Sequence, residues 1–304
     1  MERNTNMQYG IIITFISYII WGTLPLYWKL LSDVTPDQIL AARIIWSFVF
    51  MMLVVTVTGK WKTFIKEFQI LLHDRKNFTK VVIASIVITL NWLVYIWAVN
   101  TDHVIQASLG YYINPLVSIL LGIVILKETL TRRQGLAVMI AAIGVLYLAI
   151  DFGVFPWISL VLAISFGTYG LLKKTVQVSA MTGLTVETMV VTPLALIYLW
   201  FAPTSSGFTF TELTQRDLLL MGTGIATAVP LLLFASGAKH IPLALIGFIQ
   251  YIAPTLMLIF GVFLYHEPFT SGHAVAFILI WAALFLYMSS MLRTLRQRKQ
   301  KKIR

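Results

Sequence analysis

The chain has no cysteine, and only 12% of its 304 residues are charged. The first absence excludes disulfides, thiolate metal sites and a thiol nucleophile. The second excludes an ordinary soluble domain, in which about 25% of residues carry charge. There is no Gly-x-x-x-x-Gly-Lys-Ser/Thr loop to cradle ATP phosphates and no His-Glu-x-x-His helix. The five histidines, His73, His103, His240, His266 and His273, fall near span ends or in loops, with no pair at metal-ligand spacing. No metal, cofactor or intramembrane enzyme chemistry is expected.

What the chain has is apolar length, with 59% hydrophobic residues. A membrane-crossing helix needs about 20 apolar residues, and ten segments qualify, at about 8–31, 37–58, 79–99, 104–126, 134–151, 156–173, 180–201, 218–237, 242–265 and 272–292. Little remains outside them. The first run is too long for the core of a cleaved signal peptide and reads as a retained span. The fold class is an all-α membrane protein.

Charge sets the orientation. With the N-terminus in the cytoplasm, every basic residue but three falls in an inside segment; Arg216 lies in an outside loop, and Lys29 and Arg43 lie within spans. Such a bias puts both termini inside. The net charge of +11 is then an orientation signal beside anionic lipid rather than a nucleic-acid footprint. The stretch from Trp61 to Leu72 does not span. Trp61, Phe64, Ile65, Phe68, Leu71 and Leu72 fall at helical spacing while Lys62, Lys66 and Glu67 face away, which predicts a helix lying on the cytoplasmic leaflet.

The chain also repeats itself. Tyr112, Pro115, Gly122, Glu128 and Thr131 recur as Tyr251, Pro254, Gly261, Glu267 and Thr270 at one offset of 139 residues. Upstream, Trp21-Gly22-Thr23 and Lys29 recur as Phe166-Gly167-Thr168 and Lys174 at an offset of 145. Each copy holds five spans, and an odd number reverses direction. The copies are therefore two inverted five-helix repeats, 8–151 and 156–292, followed by a basic cytoplasmic tail, 293–304. Pro-interrupted spans at matching places in two halves are the sequence pointer to a transporter's binding site.

Proline removes a helical hydrogen bond and frees the carbonyl four residues back, so breaks are expected at Pro115 and Pro254, with a further one at Pro25. Beside the paired breaks sit Tyr111, Tyr112 and Asn114 in one copy and Gln250 and Tyr251 in the other, with groups suited to a small polar organic molecule. Asn91 and Trp92 lie deep in the third span, where Asn91 either joins helices or lines the cavity. Tyr27, Trp28, Trp97, Trp157 and Trp200 read as interface-belt aromatics.

Intramembrane charges mark function by default. Arg43 needs an anion, either Asp33 or Asp37 or a substrate carboxylate. Glu187, at the equivalent depth of the second copy, is either a proton-coupling carboxylate or the partner of Lys173 or Lys174. Lys29 can reach the outer surface along its own stem. Glu128 and Glu267 end their spans as exposed loop caps or surface partners.

An ordered series of residues runs through the chain: Trp21-Gly22 with Pro25, Tyr27 and Lys29; Arg43 with Trp46-Ser47; Asn91-Trp92 through Trp97-Ala98-Val99-Asn100; Ala107-Ser108-Leu109-Gly110-Tyr111 with Asn114-Pro115; Tyr169-Gly170; Thr182-Gly183 with Glu187; Pro230; Gly247-Phe248 with Gln250-Tyr251 and Pro254-Thr255; and Ile280-Trp281. Over essentially its whole length the chain resembles the drug/metabolite transporter superfamily, in its EamA-type, two-repeat, ten-helix branch, and more narrowly the RarD group of permeases associated with chloramphenicol sensitivity. The resemblance implies a multi-pass protein of the bacterial inner membrane and a secondary transporter, an exporter of a small metabolite or drug, with protons as the candidate coupling ion. It departs from the superfamily's small multidrug exporters, which carry a glutamate in their first helix; span one here has no carboxylate, which argues against a lipophilic cation. The reading from another class is a non-transporting membrane scaffold, which predicts Asn114 and Gln250 packed against helices with no central cavity.

Overall fold

A computed structural model describes residues 2–101, 103–151, 153, 155–201, 214–266 and 269–301. The described chain forms twelve helices: α1 (Glu2–Lys29), α2 (Pro36–Val57), α3 (Trp61–His73), α4 (Arg75–Asn100), α5 (Val104–Val124), α6 (Arg132–Asp151), α7 (Trp157–Thr175), α8 (Ala180–Phe201), α9 (Gln215–Ala238), α10 (Leu243–Gln250), α11 (Ile252–Leu264) and α12 (Ser271–Lys301). Among the described residues, nine helical stretches are long and apolar enough to cross a membrane, α10 and α11 counting as one. The tenth is α7, 19 residues long with Lys173 and Lys174 in its last turn, packed against α4 and α5. Side chains exposed along the spans are apolar, as at Leu146, Ile150, Trp200, Phe263 and Phe285. This is a multi-pass membrane protein.

The inverted repeat is visible in the packing. Copy one runs α1, α2, α4, α5, α6; copy two runs α7, α8, α9, α10–α11, α12. In each, the first span packs on the other copy's fourth: α1 on α10 and α11, α7 on α5. Glycines mark both crossings. A Cβ at Gly22 would stand 2.8 Å from Leu256 Cβ, and one at Gly167 would stand 2.8 Å from Val117 Cγ1. Gly22 and Gly167 are repeat equivalents, as are Val117 and Leu256. Trp21 and its equivalent Phe166 meet each other, with ring centroids 5.7 Å apart. Fifth span packs on fifth, α6 on α12. Even the loop geometry repeats, because Lys127 and its equivalent His266 both take positive φ, 54° and 56°.

The helix ends that flank the α1–α2, α4–α5, α6–α7, α8–α9 and α11–α12 connections gather at one end of the bundle. The others gather at the opposite, basic end with Lys60, Lys62, Lys66, Lys76 and Lys80. Helix α3 lies at the basic end. Its Phe64 and Leu71 are buried against Val55, Val81, Val176 and Val186, so part of its apolar face is spent on protein. Trp61, Ile65, Ile70 and Leu72 remain exposed. Glu67 does not face away as expected, because Ser179 donates to its Oε2 from both N (3.2 Å) and Oγ (2.5 Å).

Two expectations about helix continuity are corrected. Helices α1 and α5 run unbroken through Pro25 and Pro115, since a single lost hydrogen bond kinks a helix without ending it when the turns on either side are packed. Only the span containing Pro254 divides, at Tyr251 between α10 and α11. The basic tail, from 293 on, continues α12 to Lys301, because its Arg, Lys, Gln and Leu residues are good helix formers and it has no Gly or Pro.

Candidate functional site

The site grows from helical phase. On α5, Ala107, Gly110, Tyr111 and Asn114 share one face; on the divided span, Gln250, Ala253, Pro254 and Met257 do the same at identical spacing. These faces meet Tyr18, Trp21, Pro25 and Trp28 of α1, Arg43 of α2, Asn91, Trp92 and Tyr95 of α4, and Leu162 and Phe166 of α7 around a cavity of about 150 Å³. It lies between the two copies, in the half of the bundle away from the basic end.

Of the predicted residues, Arg43, Asn91, Trp92, Tyr111, Asn114, Gln250, Pro25 and Pro254 line this space together. Pro115, Tyr112 and Tyr251 do not. One residue turns a helix by about 100°, so the neighbours of Tyr111 and Gln250 look elsewhere. The Tyr112 ring packs on Phe277 of α12 with centroids 6.4 Å apart, and Tyr251 is buried with its hydroxyl unpartnered. Pro115 instead sets a helix crossing, with its carbonyl 2.6 Å from where a Cβ at Gly247 would stand.

Three neighbouring helices hold Arg43 of α2. Its Nε donates to Thr227 Oγ1 of α9 at 3.0 Å. Its guanidinium carbon lies 4.8 Å from the Trp28 ring of α1 and 4.6 Å from the Trp92 ring of α4. Two indole faces stabilise a cation through their quadrupoles, so Arg43 needs no acidic partner to be tolerated. Neither predicted acid meets it: Asp37 accepts from Tyr198 Oη instead, and among the described residues no carboxylate lies within 4.0 Å of Arg43. Trp28 is thus a cavity residue rather than a belt aromatic, while Tyr27 ties α1 to α9 by donating to the Leu219 carbonyl at 2.5 Å. Trp97, Trp157 and Trp200 are exposed at the end of the bundle away from the basic one.

Asn91 does both things expected of it. Its Nδ2 donates to Leu162 O at 2.9 Å and Ser165 Oγ at 2.8 Å, joining α4 to α7, and the residue also lines the cavity. Gln250 Oε1 accepts from Ser118 Oγ at 3.4 Å. Asn114 Oδ1 and Tyr18 Oη are buried with no hydrogen-bond partner. Below the cavity, Trp21, Phe166, Tyr169 and Phe234 form an aromatic plug, with Tyr169 stacked on Phe234 at 6.1 Å.

Glu187 stands apart from the cavity. Lys173 Nζ lies 2.8 Å from its Oε1, and Tyr169 Oη donates to Oε2 at 3.2 Å; both charged side chains are 4% exposed. Of its two readings, the geometry realises the ion pair. Glu128, expected to be exposed, is mostly covered and caps α10: Leu243 N and Ala244 N donate to its two carboxylate oxygens at 2.7 and 2.9 Å. Lys174 lies 4.0 Å from it and donates to the Ala238 and Ile241 carbonyls. Copy one is thereby tied to copy two at the basic end. Glu267, the repeat equivalent, lies outside the described residues. Lys29, the equivalent of Lys174, is exposed with its ammonium 3.8 Å from the centre of the Tyr265 ring.

The model of the EamA-like transporter family matches residues 8–150 and 155–289. The chain belongs to that family. Within it, this EamA protein is of the RarD group. Its relatives include "Uncharacterized transporter YojE" of Bacillus subtilis, 50% identical over 98% of this chain and 99% of that one. "Protein RarD" of Escherichia coli is 40% identical over 95% and 96%, and "Chloramphenicol-sensitive protein RarD" of Pseudomonas aeruginosa 29% identical over 97% and 98%. A solved crystal structure at 17% identity has the same fold, with a TM-score of 0.70 over 91% of this chain and 96% of that one. The EamA protein is accordingly a membrane transporter.

Sequence reasoning missed Tyr18, Trp21, Trp28, Tyr95 and Phe166 as cavity residues. The signal was available: Trp21, Trp28 and Phe166 fall in phase with Pro25 and Leu162 on their helices, and Trp21 and Phe166 are repeat equivalents.

Proposed function

We propose that this EamA protein is a secondary-active carrier that exports a small organic molecule by alternating access across a bacterial inner membrane, with both termini in the cytoplasm. The observation that carries the reading is the cavity: polar groups and aromatic walls from both inverted copies converge on one space, with Glu128 and Lys174 fastening the copies together at the basic end. A scaffold has no use for such a space. Five spans of copy one would rock against five of copy two about the crossing of α5 and α10, exposing the cavity to each side in turn. Arg43 and the three amides of Asn91, Asn114 and Gln250 are the contacts that would hold the substrate. Driving by protons would call on Glu187, the buried carboxylate nearest the cavity's plug.

The absence of native cysteines makes the test direct. Single cysteines at Ala107, Tyr111 and Asn114 are labelled with a membrane-impermeant maleimide, in right-side-out and in inverted vesicles. A carrier makes the same positions reachable from both sides. Labelling from one side only, at all three positions and under an imposed gradient, refutes alternating access.

A further inference from the structure

We propose that the cavity takes a flat organic anion of single charge that carries an N–H or O–H donor remote from its acid group; this rests on reading the cavity as the transport site. Four observations converge on that chemistry. The first is the way Arg43 is held. Its Nε donates to Thr227, and the Trp28 and Trp92 rings stand 4.8 and 4.6 Å from its guanidinium carbon, so among the described residues the edge bearing its terminal N–H groups is left without a hydrogen-bond partner. That edge matches a carboxylate, which accepts two parallel hydrogen bonds from it.

The second is charge balance. Arg43 is the one charged side chain lining the cavity, and the lining has no Asp or Glu. A cationic guest would meet a like charge with nothing to offset it, and a dianion would bring a second charge with no partner. The third is shape. The volume, about 150 Å³, is that of a cavity that accepts one benzene ring. Its walls are rings, with Tyr95 and Tyr111 edge to face at 5.9 Å, and ring walls favour a flat guest.

The fourth lies deeper. Tyr18 and Asn114 line the same cavity, on its side towards the basic end. There Tyr18 Oη and Asn114 Oδ1 are buried without partners. An amide oxygen only accepts, so a ligand satisfies Asn114 by offering a donor. Buried polar groups are otherwise paired in folded proteins, and these two belong to residues that line the same cavity as Arg43.

The test is thermal unfolding of the full-length protein in detergent with a matched set of probes. These are 4-hydroxybenzoate, benzoate without the donor, cyclohexanecarboxylate without the flat ring, neutral 4-hydroxybenzamide and cationic 4-hydroxybenzylamine. A ligand that binds only the folded state raises its stability. The expected result is stabilisation by 4-hydroxybenzoate, about tenfold weaker apparent affinity for benzoate, a weaker effect of the cyclohexane acid, and none from the amide or the amine. Asn114→Leu brings 4-hydroxybenzoate down to the level of benzoate, and Arg43→Gln abolishes binding of every acid. Should Arg43→Gln fail to fold, Arg43→Lys and the Asn114→Leu comparison still decide. Equal stabilisation by the amide or the amine, lost in Asn114→Leu, overturns the anion class while leaving the site in place. Acid stabilisation that survives both Arg43→Gln and Asn114→Leu places binding elsewhere and overturns the site. No stabilisation by any probe overturns the ligand class.

Discussion

Removing one half of the Lys173–Glu187 pair should be among the most damaging single changes in the bundle. Both side chains are 4% exposed, their charged atoms lie 2.8 Å apart, and Tyr169 completes the hydrogen bonding. Glu187→Leu leaves an ammonium buried with no counter-charge, which costs about 3–5 kcal/mol. Lys173→Met leaves the carboxylate with the Tyr169 hydroxyl alone and falls at the lower end of that range. Replacing both at once removes both charges and refills the space, so the double variant should return close to the parent or exceed it. Unfolding of the four proteins in mixed micelles closes a double-mutant cycle, with an expected coupling of about 3 kcal/mol or more. Single variants within about 0.5 kcal/mol of the parent would refute the reasoning, because they would show that water or another group reaches the pair. The same double variant separates structure from coupling. If it is stable and still accumulates substrate under a pH gradient, Glu187 does not carry the driving proton; if it is stable and has lost only gradient-driven transport, Glu187 does.

Three further outcomes can be checked. Gly247→Ala puts a Cβ 2.6 Å from the Pro115 carbonyl and 2.7 Å from Ile119 Cγ1, so α10 must shift on α5 at a cost of about 1–3 kcal/mol, read as a lower unfolding temperature. Glu128→Ala removes the cap of α10 and the partner of Lys174; it should cost about 0.5–2 kcal/mol, read as a lower unfolding temperature. At the α3–α4 junction, the Asn77 backbone N–H and side-chain amide hold the Asp74 carboxyl below its ordinary pKa. A depressed folded-state pKa stabilises above the unfolded value and fades as pH falls through the folded one, so the protection of the Asn77 amide against exchange, taken relative to its intrinsic rate at each pH, should fall below about pH 4, and Asp74→Ala should lower it at neutral pH.

Ten spans, their inverted pairing and most of the cavity could be read from residues alone, because apolar length and repeat offsets are one-dimensional properties. The errors came where a second dimension enters. Tyr112 and Tyr251 stand near the prolines in sequence, whereas helical phase places Tyr111 and Gln250 on the cavity face. Trp28 looked like a belt residue by depth, yet packing with Arg43 drew it inward. The break at Pro254 and the continuity at Pro115 could not be told apart, since both prolines remove the same bond and only the surrounding packing decides whether the helix divides. Glu67 read as a solvent-facing charge because its partner Ser179 is 112 positions away.

Arg43 is gripped by α1, α2 and α4 of one copy and by α9 of the other. Any movement that slides α9 along α2 must break the bond to Thr227, and any that parts α1 from α4 must draw Trp28 or Trp92 away from the guanidinium. If Arg43 holds the substrate as proposed, the strength with which it attracts a guest is a function of where the helices stand. A guest that prefers one grip biases the helices towards it, and by reciprocity the helices, on moving, change how readily the guest leaves. Capture and release would then need no separate trigger: both are written into the three contacts that hold one cation.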